Sequence, residues 1–131
     1  MRAAVIGAGR EPKVTSAAAD VAGDVETALA LSEHCPTGPA AAQTRERLRH
    51  HIRLLIAPAE RYAELLPVSR EKDIATSAIR FAGQVARDGG RDPAAVLRLL
   101  AKSTAHLARY TDLLPAVVHP VTAPMRPTPS D

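Results

Sequence analysis

Apolar residues recur along most of this chain at alternating steps of three and four, the period of a helix. Nowhere do they alternate with polar ones for long enough to make a strand. Val14, Ala18, Val21, Val25, Ala28 and Leu29 form a first stripe, which ends at "SEHCPTGP", where two prolines and a glycine stop it. A second helix begins at Pro39, with Thr37 or Gly38 placed to cap it, and ends at Pro67. Its inward face reads Leu48, Ile52, Leu55, Ile56, Ala59, Tyr62, Ala63 and Leu66. Pro58 stands inside it and deletes the hydrogen bond to the Leu54 carbonyl, which predicts a kink or a break. The third helix has Ser69 as N-cap and Ile74, Ala78, Phe81, Ala82 and Val85 on its buried face. Thr76, Ser77, Arg80, Gln84 and Arg87 make its wet face, and "DGG" stops it. In the fourth, Asp92 caps, Pro93 takes the first helical position, and Val96, Leu100, Ser103, Leu107, Tyr110 and Leu114 repeat on one side.

These stripes predict helices over 15–33, 39–66, 70–88 and 93–114. Residues 1–14 read as an N-terminal arm and 115–131, with prolines at 115, 120, 124, 127 and 129, as a disordered Pro-rich tail. Short connections make successive helices antiparallel, so the expected fold is all-α, a four-helix up-down bundle over 15–114. At 131 residues the chain makes one domain. Its aromatic content of 2%, supplied by Tyr62, Phe81 and Tyr110, implies an aliphatic, alanine-rich core of closely packed helices.

The opening "AVIGAGREP" resembles the first strand and phosphate turn of a dinucleotide-binding fold. That turn needs a third glycine, a helix and a second strand. Here the third glycine position is Pro12 and no second strand follows, so the stretch belongs to the arm. The net charge of +3 does not demand an acidic partner, and the pattern argues against a nucleic-acid one. A single cysteine, Cys35, rules out an internal disulfide and fits a reducing compartment. The first apolar run is too short for a signal-peptide core, and none approaches the roughly 20 residues of a membrane span. A cytoplasmic protein with no membrane contact is expected. Only three of its seventeen basic residues are lysine, which together with the abundant alanine and proline suggests a GC-rich genome.

The densest polar cluster is "RERLRHHIR" (45–53), with four arginines and one glutamate. It reads as a solvated helix face or as a basic strip for an anionic ligand. His51 stands on the flank of the apolar arc, with Arg47 and Thr44 behind it and Leu55 and Pro58 ahead. A half-buried imidazole titrates near neutral pH and can serve as a general base, with Arg47 as a cation in the same arc. The same position also suits a packed histidine with one hydrogen bond. A groove beside Pro58 lined by Thr44, Arg47, His51 and Tyr62 is the expected site. His106, sharing an edge with Leu99, Tyr110 and Leu113, is a second candidate, and Tyr110 is expected in the core with its hydroxyl at the rim. No ligand spacing points to a metal and no motif to a cofactor. Leu54, Leu65 and Tyr62 widen the apolar arc of the second helix to about 200°. That surplus predicts a symmetric homodimer, with cover by the arm's "RAAVI" as the rival.

The run "ETALALSEHCPTGPAAAQTRERLRHHIRLLIAPAE" (26–60) adds one lead. An alanine-leucine helix, a proline-bearing loop and "LRHHIRLLI" followed by a proline and an acidic residue resemble a family of small actinobacterial helical proteins. That family is assigned to natural-product biosynthesis, with no known activity, and the similarity covers residues 20–114, strongest from Leu48 to Glu60. The resemblance implies a role in secondary metabolism, including antibiotic biosynthesis. One activity known for small helical proteins of such gene clusters is formation of the lysinoalanine bridge of cinnamycin-type lanthipeptides. It carries no functional residues onto this chain.

Two readings follow. One is an accessory or tailoring protein, free of cofactor, that acts on or holds a peptide or small intermediate. The other is a non-catalytic helical interaction or regulatory module, in which "DGGRDP" would join two helices of a helix-turn-helix, although the fourth helix is too apolar for comfortable DNA reading. Whether the chain is an enzyme is left open by its residues.

Overall fold

A computed structural model describes residues 11–88 and 90–118 of the chain. Four helices account for nearly all of them: α1 (Glu11–His34), α2 (Pro39–Leu65), α3 (Arg70–Arg87) and α4 (Pro93–Val118). The expected all-α fold is the observed one. Most of the arm (1–10) and most of the tail (119–131) lie outside the described residues.

Helix ends follow local chemistry. Gly38 precedes α2 with φ 101°, a left-handed conformation that favours glycine, and its carbonyl accepts from Ala42 N–H at 3.0 Å. The Ser69 hydroxyl accepts from Lys72 N–H at 3.2 Å, as an N-cap should. At the other end of α3 the Asp88 N–H closes the helix on the Gln84 carbonyl at 2.8 Å, and Gly90 turns the chain at φ 109°. Pro93 opens α4, and the Asp92 carbonyl accepts from Val96 N–H at 2.9 Å.

Two boundaries differ from expectation by several residues, each at a proline. α1 starts at Glu11, four residues inside the expected arm, because Pro12 falls in the first turn, where a missing N–H costs nothing. α4 passes through Pro115 to Val118, four residues into the expected tail, since a proline there removes only one bond near a helix end. α2 continues unbroken through Pro58. Leu54, whose carbonyl loses its partner there, is exposed.

Packing is built on α2 and α4. These two share the largest interface, while α1 and α3 lie on either side of the pair and do not touch each other among the described residues. Bulkier helices in an up-down bundle would keep that diagonal apart. Here Ala41, Ala59 and Ala63 on α2 and Ala101 on α4 are buried, and small residues let the two axes close up. Leu48, Ile52, Leu97, Leu100 and Leu107 fill the centre, with Thr104 turned onto its own helix by a 2.7 Å bond to the Leu100 carbonyl. The Tyr62 and Tyr110 rings stack 5.2 Å apart, 11° from parallel, between α2 and α4.

α3 buries Ala82 and Val85 as the pattern suggests, but its inward face is turned away from Ile74 and Phe81. Ala75, Ile79, Ala82, Val85 and Ala86 are buried, whereas Ile74 and Phe81 are 54% and 47% exposed. Both stripes have helical spacing and share Ala82 and Val85. The buried one is the stripe of smaller residues, which suits the close approach the rest of the bundle adopts. Among the described residues no helix is long and apolar enough to cross a membrane.

Candidate functional site

Antiparallel pairing of α1 and α2 through the short turn at Cys35–Gly38 sets Asp24 opposite the middle of α2. Arg47 and His51 stand there one turn apart, at i and i+4, and so share a face. Both reach the same carboxylate. His51 Nε2 lies 2.7 Å from Asp24 Oδ2, and Arg47 Nε donates to Oδ1 at 3.1 Å and to Oδ2 at 3.0 Å. The side chains of Asp24 and His51 are 13% and 16% exposed and that of Arg47 52%, so a nearly buried pair carries a cation at its solvent edge.

Burial raises the pKa of Asp24, but hydrogen bonds from Arg47 and His51 and the charge of both outweigh it. The carboxyl titrates below its ordinary value. The bond to Asp24 and the Asp24 charge, in turn, raise that of Arg47, with Asp20 adding to the effect. With Asp24 ionised, neutral His51 donates its Nε2 proton to the carboxylate, which leaves Nδ1 with the lone pair of a base. Among the described residues nothing bonds to Nδ1.

The cluster forms the wall of a groove of about 400 Å³ whose other lining residues are Asp20, Gln43, Glu46 and His50. Of the residues singled out from sequence, Arg47 and His51 meet here. Thr44 is instead buried in the core face of α2. Tyr62 is buried too, stacked on Tyr110 in the bundle interior, so neither Thr44 nor Tyr62 lines this groove. The groove beside Pro58 is therefore relocated toward the N-terminal half of α2, where α1 approaches. Burial raises the pKa of the Tyr110 hydroxyl, the neighbouring Tyr62 adds to this and Arg109 opposes it. His106 lies exposed on α4 and joins none of these groups. Among the described residues no three of histidine, cysteine, aspartate and glutamate gather as metal ligands would.

Asp24 is the residue that sequence reasoning passed over. Its signal was present: it sits three residues after Val21 and four before Ala28, so an acidic side chain occupies a stripe position of α1. A carboxylate on an inward face requires a buried partner.

The model of a family of unknown function, DUF6415, matches residues 19–116 of the chain. The matched region runs from the first half of α1 to the end of α4 and contains Asp24, Arg47 and His51. No curated protein and no solved structure matches the chain. Since the family model spans most of its length, the chain belongs to the DUF6415 family.

Proposed function

We propose that this protein is a cytoplasmic, actinobacterial tailoring or accessory protein of natural-product biosynthesis, acting without a cofactor on a peptide or small intermediate held in the Asp24–Arg47–His51 groove. One observation carries the reading: a nearly buried carboxylate fixes an imidazole and a guanidinium side by side on the wall of an open groove. Asp24 orients His51 and sets its tautomer, the Nδ1 lone pair takes a proton, and Arg47 offers its remaining N–H groups to a developing anion.

Addition of a lysine amine to a dehydroalanine, which makes a lysinoalanine bridge, fits this equipment. The N–Cβ bond forms, the alkene π bond breaks, and electron density moves toward the carbonyl as an enolate beside Arg47. His51 takes the amine proton and the α-carbon regains one, so the mass does not change. The working form we propose is a homodimer, with Leu54 and Leu65 in the contact, since both stay exposed on α2. Tyr62 does not take part, because it is buried within the protomer.

The test is deletion of the gene from its producing strain and tandem mass spectrometry of the metabolite. The expected product lacks one modification, seen as a mass change or, for a crosslink, as new backbone fragments at unchanged mass. An identical product with an identical fragment pattern would overturn the proposal.

A non-catalytic interaction module has its own support, in the Ile74 and Phe81 side chains that α3 leaves exposed. It predicts that substitutions at these two positions abolish function while His51→Gln is silent.

A further inference from the structure

Two depressions make a groove along the seam of α2 and α3, and a third, beside the α1–α2 turn and the start of α4, meets it at Arg49. The first, of about 530 Å³, shares Ile56, Gly83 and Arg87 with a second of about 470 Å³. A third, of about 260 Å³, touches Arg49 as the second does and continues to Arg91 and Gly38. Along α2 the groove runs from Arg45 to Glu64, about 30 Å at the helical rise, a length that takes about nine extended residues.

Charge along this groove is uneven. Arg45, Arg49, Arg53, Arg87 and Arg91 line the half nearer the α3–α4 turn, against one carboxylate, Glu46. Glu46 pairs with Arg49 at 2.6 Å, and among the described residues no carboxylate lies within ion-pair distance of the other four. In the far half Glu60 and Glu64 offset Lys72 and Arg80. Lys72 is already engaged there: its ammonium donates to the carbonyls of Ala63, Glu64 and Leu66 at 3.0, 3.2 and 3.2 Å. Gly83 lines both of the first two depressions, and a Cβ there would stand in ordinary contact, 3.6 Å from an Arg87 guanidinium nitrogen and 3.9 Å from Ile56 Cδ1. A glycine inside a helix weakens it, and here its bare backbone keeps the first two depressions connected.

We propose that this groove binds an extended acidic peptide segment, with its carboxylates on the five arginines and its backbone over Gly83. Guanidinium groups match carboxylates in planar, two-bond geometry, and Arg49 already holds one. No aromatic side chain lines the groove, so a nucleic-acid strand has no surface to stack on, and Glu60 and Glu64 repel its phosphates. The choice of a peptide rests on the peptide-handling function proposed above. The acidic character rests on the groove alone. Glu46 lines both this groove and the one that holds His51, so the two adjoin on α2, one toward α3 and the other toward α1.

The test is a titration of the protein into a labelled peptide of about ten glutamates, followed by fluorescence anisotropy. Saturable binding with a Kd of about 100 µM or tighter is expected at low salt, weakened about tenfold or more by about 0.5 M salt. The double variant Arg49→Glu with Arg87→Glu, checked for fold by circular dichroism, loses the binding. Gly83→Leu fills the floor, leaves every charge in place and weakens it as well. His51→Gln binds the peptide as the native chain does even where it fails to support the tailoring step, which separates the two proposals. No saturation by about 1 mM, undiminished binding in the double variant, or tighter binding of a single-stranded oligonucleotide of equal charge overturns the inference.

Discussion

Asp24 holds a guanidinium and an imidazole on one carboxylate while most of its own surface is out of water. Its folded pKa lies below the ordinary value, so its contribution to stability is complete above about pH 4 and is lost as the pH falls through the lowered value. Asp24→Asn is therefore expected to lower stability near neutrality by about 1–2 kcal/mol, a modest figure because Arg47 is half exposed. Its urea midpoint is also expected to fall less steeply than the native one below about pH 4. An equal acid dependence in the two chains would show that Asp24 is not the titrating group. At this scale the sequence was legible in part. His51 and Arg47 share a helix, and their spacing alone puts them on one face. Asp24 comes from another helix, and only the register between α1 and α2 decides which acidic residue meets them. Tyr62 misled because an arc can widen on a surface or in a core, and stacking on Tyr110 puts it in the core.

Helix caps and stops were legible because a few residue types carry them: Ser69 before α3, Pro93 opening α4 and Gly38 before α2. The phase of α3 was legible only at Ala82 and Val85. Ile74 and Phe81 are the larger apolar residues and suggest the buried face, but the alanine stripe beside them allows closer packing and takes the interior. Ile79→Ala is accordingly expected to cost about 2–4 kcal/mol and Phe81→Ser less than about 0.5, as read from urea unfolding. The reverse order would restore the larger stripe to the core. Gly38→Ala, at φ 101°, is expected to destabilise by about 1 kcal/mol. Pro58→Ala should do the opposite. It returns the bond to the Leu54 carbonyl in a helix that is continuous without it, and an increase of up to about 2 kcal/mol in unfolding free energy would register that gain.

On the scale of the whole molecule, the close α2–α4 pair explains why α1 and α3 occupy opposite flanks and why the two grooves lie on different sides of α2. It follows from the near absence of aromatic residues, and in that sense the packing was written in the composition. Leu54 and Leu65 remain exposed, and light scattering at high micromolar concentration is expected to give the mass of a dimer, reduced to that of one chain by Leu54→Glu with Leu65→Glu. A monomer in the native chain would leave these leucines without a symmetric partner. In the function proposed, Asp24, Arg47 and His51 work as a chemical site and not as a brace between two helices. A strain lacking the gene, complemented in parallel by the native chain, His51→Gln and His106→Gln, tests this most directly through tandem mass spectrometry of the metabolite. Glutamine keeps a hydrogen bond to Asp24 but takes no proton near neutral pH, so a folded His51→Gln chain is expected to leave the product unmodified while His106→Gln restores it. A fully modified product from the His51→Gln strain would contradict the account and leave the cluster as a structural tie between α1 and α2.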